Sequence, residues 1–193
     1  MTIPSFNLGL VLPPFLGSRP GSMALQSPYV ATPEEVVHRF GTTPTRNEYL
    51  RGWLTLRQEL RNLGIERGFQ WVDGSFVEDK ERRLNLPPSD IDLVTCFERP
   101  IGLENNLAWR AHAEPFDDTL FDPGYCKATF HCEAFYIDLG RSGSSVASLS
   151  AFWFSLFSHQ RDTFQWKGVV RVPLGDATVD ADANAELTRR GYA

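Results

Sequence analysis

The chain has 193 residues, of which 42% are hydrophobic, 22% are charged and 12% are aromatic. These fractions are typical of a globular protein and exclude the disordered, collagenous and low-complexity classes. The formal net charge is −5, so the chain as a whole lacks the basic footprint of a protein that grips duplex nucleic acid, although a local basic patch stays open.

The cysteines and the N-terminal residues predict a cytoplasmic protein. Three cysteines (Cys96, Cys126 and Cys132) cannot all pair within the chain, and no two of them form a CxxC motif. We therefore expect reduced thiols. The apolar N-terminal stretch lacks a basic region and carries three prolines by residue 14, which is unlike a signal peptide. No run of about 18 apolar residues occurs, so no membrane association is expected.

The first third of the chain predicts an arm and two helices. Residues 1–30 are rich in Pro, Gly and Ser and are expected to form an extended arm that lies on the body. Residues 32–35 (Thr-Pro-Glu-Glu) form a capping box with proline at the first helical position, which predicts a helix to about Phe40. A second box at residues 45–48 predicts a longer helix that ends at Gly64.

The remaining elements alternate between strands and helices. β-Branched and aromatic content predicts strands at residues 69–72, 91–97, 127–139 and 168–172. Helical character is predicted for residues 103–113 and 144–159, and weakly for the acidic tail, 176–193. We expect one α+β domain over residues 31–175, with a small mixed sheet backed by helices.

One segment combines two carboxylates with a glycine–serine turn. Asp90 and Asp92 are two apart in a predicted strand and should project to the same face. Adjacent carboxylates repel, and a divalent cation is the main way to neutralise them. Fifteen residues before Asp90, Gly74-Ser75 follows a strand at a sharp break, where backbone N–H groups and a hydroxyl suit a phosphate. A metal-binding pair beside a phosphate-binding turn is what nucleotidyl transfer requires.

A two-metal site normally needs a third carboxylate from a neighbouring strand. Glu133 and Asp138 are the candidates, and strand alternation places them on opposite faces. We prefer Glu133 because it lies mid-strand, where an unpaired charge is otherwise hard to explain. Asp138 stays the alternative, since a bulge would reverse the facing of residues beyond it.

The pattern Gly-Ser followed by Asp-Ile-Asp resembles the nucleotidyltransferase superfamily. That superfamily includes DNA polymerase beta, the minimal nucleotidyltransferases of toxin–antitoxin pairs and the synthases of bacterial nucleotide-signalling defence systems. The stretches VDGSFVEDK, PSDIDLV and FSLFSHQRDTFQWKGVVRVPL look like an uncharacterised bacterial branch, over roughly residues 30–175. The resemblance implies triphosphate binding by Gly74 and Ser75, and Mg²⁺ or Mn²⁺ binding by Asp90, Asp92 and Glu133.

The resemblance also implies transfer of a nucleoside monophosphate from a nucleoside triphosphate to a hydroxyl of a protein, an RNA or a nucleotide. The setting would be a toxin–antitoxin or anti-phage system, with a partner protein or a homodimer supplying further surface. Two departures stand out: residues 76–89 contain no second glycine, and Glu133 replaces the usual aspartate. Both favour the alternative, a catalytically inactive module that acts with a partner protein.

Basic and aromatic side chains near these motifs have open roles. Lys80 and Arg83 follow the glycine–serine turn and would hold triphosphate oxygens, or belong to a solvated loop. The aromatic group around residues 152–166 is too dense for one buried face. Core packing is expected to explain most of it, and the rest would stack a nucleobase or cover a partner surface. The members of this group are Phe152, Trp153, Phe154, Phe157, Phe164 and Trp166.

Overall fold

The computed structural model describes residues 3–19 and 21–191. Residues 1, 2, 20, 192 and 193, which belong to the predicted arm and tail, lie outside the described part. Within the described part, five strands form one mixed sheet surrounded by seven α-helices, which confirms the α+β class. The strands are β1 (Tyr29–Val30), β2 (Gly68–Asp73), β3 (Ile91–Phe97), β4 (Cys132–Asp138) and β5 (Val170–Pro173). The helices are α1 (Pro33–Phe40), α2 (Pro44–Asn62), α3 (Lys80–Leu84), α4 (Asn106–Ala113), α5 (Pro123–Phe130), α6 (Gly143–Phe157) and α7 (Ala181–Arg189).

The first two helices begin at capping residues. In α1 the Thr32 side chain accepts from the Glu35 N–H and the Glu35 side chain accepts from the Thr32 N–H, so the predicted box is confirmed. The start predicted for α2 is wrong by two residues. The predicted box begins at residue 45, whereas the N-cap in the structure is Thr43, with Pro44 at the first helical position. Proline favours that position because its fixed φ suits a helix and its missing N–H costs no hydrogen bond there.

The prediction of one strand over residues 127–139 is wrong in its first half. Residues up to Phe130 belong to α5, because Asp122 caps the helix by accepting from the Tyr125 N–H and Pro123 takes the first helical position. His131 then adopts a left-handed conformation with φ 56°, and β4 begins at Cys132. The cap and the proline outweigh the β propensity of the residues that follow.

The sheet order is β1–β5–β2–β3–β4, and β2 is antiparallel to both of its neighbours. Strands β3 and β4 are parallel. The carboxyl end of β2 therefore meets the amino ends of β3 and β4 at one edge of the sheet. One face of the sheet packs in a larger core with residues of α1, α2, α4, α5 and α7, and the other face packs in a smaller core under α6.

Both terminal regions contact the body. Tyr29–Val30 pairs with β5 as an edge strand, and α7 contributes Ala183 and Leu187 to the larger core. The three cysteines are buried and unpaired, as predicted. Among the described residues, no helix has both the length and the apolar character needed to span a bilayer.

Candidate functional site

Three acidic residues lie directly opposite one another across neighbouring strands. Asp73 ends β2 and is in register with Asp92 of β3, which is in turn in register with Glu133 of β4. Residues in register project to the same face of a sheet. Here this is the face that α6 covers. The strand pairing therefore creates a row of carboxylates at one sheet edge.

Asp90 joins this row from the residue position just before β3. Carboxylate oxygens of Asp90, Asp92 and Glu133 all lie within 4.8 Å of one another, and we call these three residues the acid cluster. Oxygen atoms bind Mg²⁺ or Ca²⁺ at about 2.0–2.6 Å, so ligand atoms at this spacing can share one ion. The donor set is chemically suited to a hard divalent cation.

Asp138, the alternative third carboxylate, lies at the other end of β4. Its two oxygens accept from the Arg99 guanidinium, with the shortest N···O distance 2.7 Å, and the Gly140 N–H donates to it as well. Asp138 is buried and fully partnered, away from the acid cluster. The structure brings Glu133, and not Asp138, beside Asp90 and Asp92.

Burial and mutual repulsion disfavour the ionised carboxylates of the acid cluster. Burial, and then the charges of Asp90 and Glu133, raise the pKa of Asp92 to about 7. Burial also raises the pKa of Asp73, and the Lys167 ammonium offsets part of that rise. Closely spaced carboxylates favour the neutral form of one of them unless a cation is near. The row thus has more negative charge than its protein partners neutralise.

Lys127 supplies one cation at this site, and sequence reasoning missed it. Its Nζ lies 2.5 Å from Asp90 Oδ2 and 3.8 Å from Glu133 Oε2, and its side chain is 47% exposed. In the predicted continuous strand, Lys127 would stand about 20 Å from Glu133. The turn at His131 folds α5 back beside β4, which is why the two meet. The Asp122-Pro123 pair was the available signal for that helix.

Gly74 follows β2 directly and approaches the acid cluster closely. Its φ is +75°, and a Cβ at this position would lie 1.7 Å from Asp92 Oδ2. Only glycine fits such a left-handed position against a carboxylate. Ser75 continues into a short 3₁₀ helix (Gly74–Val77), and its half-buried side chain lines the same cleft as the cluster. The glycine–serine turn and the carboxylates are therefore neighbours, as their sequence order suggested.

Lys167 contacts the backbone of this turn, and sequence reasoning missed it as well. Its ammonium is buried and lies 3.2 Å from Asp73 Oδ2 and 3.1 Å from Glu78 Oε1, and it donates to the Gly74 carbonyl at 3.0 Å. Burial by itself would lower the pKa of Lys167, but the two carboxylates outweigh it and raise the pKa. A lone lysine directly before the apolar run of β5 was its only sequence signal.

The acid cluster opens into a cleft of about 810 Å³ between the sheet edge and α6. Aromatic side chains form the opposite wall: Phe152 is 57% exposed, and Phe164, in the loop after α6, is 81% exposed. Trp153 lies on Phe135, with the ring centroids 4.3 Å apart. Since Phe135 follows Glu133 by two residues on the same face of β4, the aromatic wall begins beside the third carboxylate.

The basic residues predicted from the loop also reach this cleft. Lys80 lines it, at the start of α3. Arg83 lines it too, but its guanidinium already lies 3.4 Å from Glu78 and 3.3 Å from Asp162. Arg83 would have to exchange these partners to hold a phosphate. The seven predicted site residues thus line one cleft, while their metal-binding and nucleotide-binding roles stay predictions.

A family model described as a family of unknown function, DUF6932, matches residues 4–173. The chain belongs to this family. The DUF6932 match includes every strand, the acid cluster, the glycine–serine turn and both lysines, and it leaves out α7. No curated protein and no solved structure gives a match.

Proposed function

We propose that this protein is a metal-dependent nucleotidyltransferase, which moves a nucleoside monophosphate from a nucleoside triphosphate to a hydroxyl group. One observation carries the proposal: three carboxylates lie within 4.8 Å of one another beside the Gly74-Ser75 turn, in one cleft. Transfer of this kind depends mainly on positioning and on charge neutralisation, so few side chains are needed.

The acid cluster suits Mg²⁺ or Mn²⁺ because it offers only carboxylate oxygens. Asp90 and Asp92 would hold the ion, with Glu133 as the third ligand. Once bound, such an ion neutralises phosphate charge and lowers the pKa of an attacking hydroxyl. The raised pKa of Asp92 supports this assignment, since burial and then the charges of Asp90 and Glu133 disfavour its ionised form when no cation is bound.

The remaining site residues would orient the substrate. Ser75 can donate its hydroxyl to a phosphate oxygen, and Gly74 lets the phosphate approach the backbone without a side chain in between. Lys167 holds the Gly74 carbonyl and so fixes the turn in this conformation. Lys80, which also lines the cleft, would balance part of the triphosphate charge.

The aromatic wall would receive the base. A flat base gains from stacking on exposed rings, and Phe152 and Phe164 present such rings to the cleft. The volume of about 810 Å³ is in the range of pockets that hold small molecules and cofactors. In this arrangement the triphosphate lies toward Gly74-Ser75 and the nucleoside lies toward α6.

The acceptor in this proposal is a protein, an RNA or a nucleotide, bound with help from a partner protein or a second copy of the chain. A toxin–antitoxin or anti-phage setting in the cytoplasm rests on the sequence resemblance alone. The experiment that tests the function is a transfer assay with each of the four α-³²P-labelled nucleoside triphosphates and Mn²⁺, with and without the product of the adjacent gene. We expect label on a macromolecule or an oligonucleotide.

The matched control is the Asp90→Ala, Asp92→Ala double variant, which should give no labelled product. Absence of both transfer and metal-dependent nucleotide binding in the unaltered protein would refute the proposal.

A second candidate is an inactive module that binds nucleotide and acts with a partner protein. The ammonium of Lys127 favours it, because this group already sits 2.5 Å from Asp90 where a metal ion would bind. Nucleotide binding without transfer, under all conditions of the assay, would select this second function.

A further inference from the structure

We propose that Lys127 is an exchangeable counter-cation: its ammonium neutralises the acid cluster when no metal is bound and moves to a substrate phosphate when a metal ion binds. This inference rests on the proposed function and adds a residue that couples the metal to the triphosphate. The observation behind it is the position of Nζ, which lies 2.5 Å from Asp90 Oδ2 and 3.8 Å from Glu133 Oε2.

The two lysines that contact this acidic row differ in how firmly they are held. Lys167 is 3% exposed and has Asp73, Glu78 and the Gly74 carbonyl as partners, which is the pattern of a fixed structural cation. Lys127 is 47% exposed, and its ion pairs within the described residues are with Asp90 and Glu133. Because the Asp90 carboxylate is itself buried, Lys127 can leave it when another cation takes its place.

A metal ion and the Lys127 ammonium compete for the same oxygen. A magnesium ion would stand about 2.1 Å from a ligating oxygen of Asp90, and an ammonium 2.5 Å from that oxygen would then lie within a few ångströms of a divalent cation. Like charges at such distances repel. Occupation of the cluster by metal therefore displaces Lys127 from Asp90.

The displaced ammonium has an anionic destination in the same cleft. The lysine side chain is a flexible four-carbon stem, and Lys127 and the Gly74-Ser75 turn line one cavity. A triphosphate held at that turn would offer the Lys127 ammonium a new anionic partner after the metal ion has replaced it at Asp90. Metal and triphosphate thus favour each other's binding through Lys127, as linkage requires.

The test measures two equilibria on purified protein with no catalytic readout. Binding of Mn²⁺ alone is followed by the electron paramagnetic resonance signal of the free ion. Binding of the manganese complex of inorganic tripolyphosphate is followed by calorimetry. The variants are Lys127→Met, which removes the charge at similar length, Lys127→Arg, which keeps it, and Arg51→Met. Arg51 is an exposed residue of α2 outside the cleft, so its variant controls for net charge.

The two measurements should move in opposite directions. We expect Lys127→Met to bind Mn²⁺ about threefold to tenfold more tightly and manganese tripolyphosphate about threefold to tenfold more weakly than the unaltered protein. Lys127→Arg and Arg51→Met should stay within about twofold of it in both measurements. A merely structural Lys127 would shift both affinities in the same direction or neither.

Unchanged or weaker Mn²⁺ binding by Lys127→Met would overturn the exchange. Unchanged tripolyphosphate binding, or none in any variant, would overturn the transfer of the ammonium to phosphate. These results leave the proposed function standing if labelled nucleotide is still transferred. If neither the unaltered protein nor any variant binds Mn²⁺, alone or as the tripolyphosphate complex, both the exchange and the metal-dependent function are refuted.

Discussion

Strand β4 carries one carboxylate near each end, and the two have opposite surroundings. Asp138, at the carboxyl end, is buried and receives hydrogen bonds from the Arg99 guanidinium and from a backbone N–H. Glu133, at the amino end, is part of a cluster of three carboxylates, with the ammonium of Lys127 3.8 Å away. The same strand therefore holds one acid with a complete set of donors and one without.

This difference separates a structural acid from a candidate ligand. A buried carboxylate that has all its donors stabilises the fold, and removing either partner leaves a buried charge unpaired. Carboxylates that crowd together on neighbouring strands beside an open cleft lower the stability of the metal-free protein and lose that penalty when a cation binds. Substitutions in the acid cluster and at Asp138 should therefore have different effects on transfer and on stability.

The largest effect is expected for the double substitution Asp90→Ala, Asp92→Ala. It should abolish nucleotide transfer, a loss of at least about a thousandfold, because metal ligation supplies most of the charge stabilisation. The melting temperature should stay equal or rise, since removing two of three repelling carboxylates relieves the metal-free cluster. A transfer assay and a thermal melt check both expectations. Retained transfer contradicts the metal assignment, and unfolding would show that the two aspartates are structural.

Glu133→Gln should lower the rate of transfer by about a hundredfold or more while nucleotide affinity stays near that of the unaltered protein. Glutamine keeps the size of the side chain and removes the charge that the catalytic metal or the attacking hydroxyl needs. Single-turnover rates and equilibrium binding separate the two quantities.

Asp138→Asn is the matched control on the same strand. It should leave transfer per folded molecule unchanged and lower the free energy of unfolding by about 3–5 kcal/mol, because Arg99 loses its buried partner. The reverse outcome, with transfer lost in Asp138→Asn and kept in Glu133→Gln, would exchange the roles of the two acids.

Local signals in the sequence predicted much of the fold. The capping box of α1 and the strand β3 are where the sequence places them, since caps and β propensity act over a few residues. The proximity of Gly74-Ser75 to Asp90 and Asp92 also followed from the sequence, because both motifs flank strands that pair with each other.

The two lysines could not be predicted in this way. Lys127 reaches the acid cluster only because His131 takes a left-handed conformation and turns α5 back beside β4. Histidine adopts this conformation more often than most residues do, but that preference does not mark which histidine of the chain makes such a turn. Lys167 contacts the turn across a separation of 93 residues, which depends on the pairing of β5 with β2. Asp73 is a common turn residue by sequence, and its membership of the acidic row depends on strand register.

Magnesium and a nucleoside triphosphate together should raise the melting temperature by more than the sum of their separate effects. Each ligand completes the other's site at the acid cluster, so their binding is positively coupled. We expect an excess of a few degrees for the preferred triphosphate, measured by thermal melting across all four. In the Glu133→Gln variant the excess should shrink. Additive shifts would favour the inactive binding module.

The smallest effect is the pH dependence of stability in the metal-free protein. The pKa of Asp92 is about 7 in the folded chain and near 3.9 in an unfolded one, so between these values the folded state binds more protons than the unfolded state. Stability should therefore fall as the pH rises from about 4 to 7 and level off above that range. Melting curves in a chelator from pH 5 to 8 measure this slope.

Asp92→Asn should flatten the slope in part. Asp73, whose pKa is raised in the same direction by burial, keeps the remainder. The difference between the two curves therefore reports Asp92 together with its effect on Asp73 and Lys127, whose pKa values its charge raises. Saturating Mg²⁺ binds the ionised form of Asp92, so above about pH 5 neither the metal-bound folded state nor the unfolded state carries a proton there, and the slope should disappear in the unaltered protein. Equal slopes in the unaltered protein and in Asp92→Asn would show that ionisation of Asp92 does not lower the stability of the metal-free protein. The contrast between the acid cluster and Asp138 would then have no electrostatic basis.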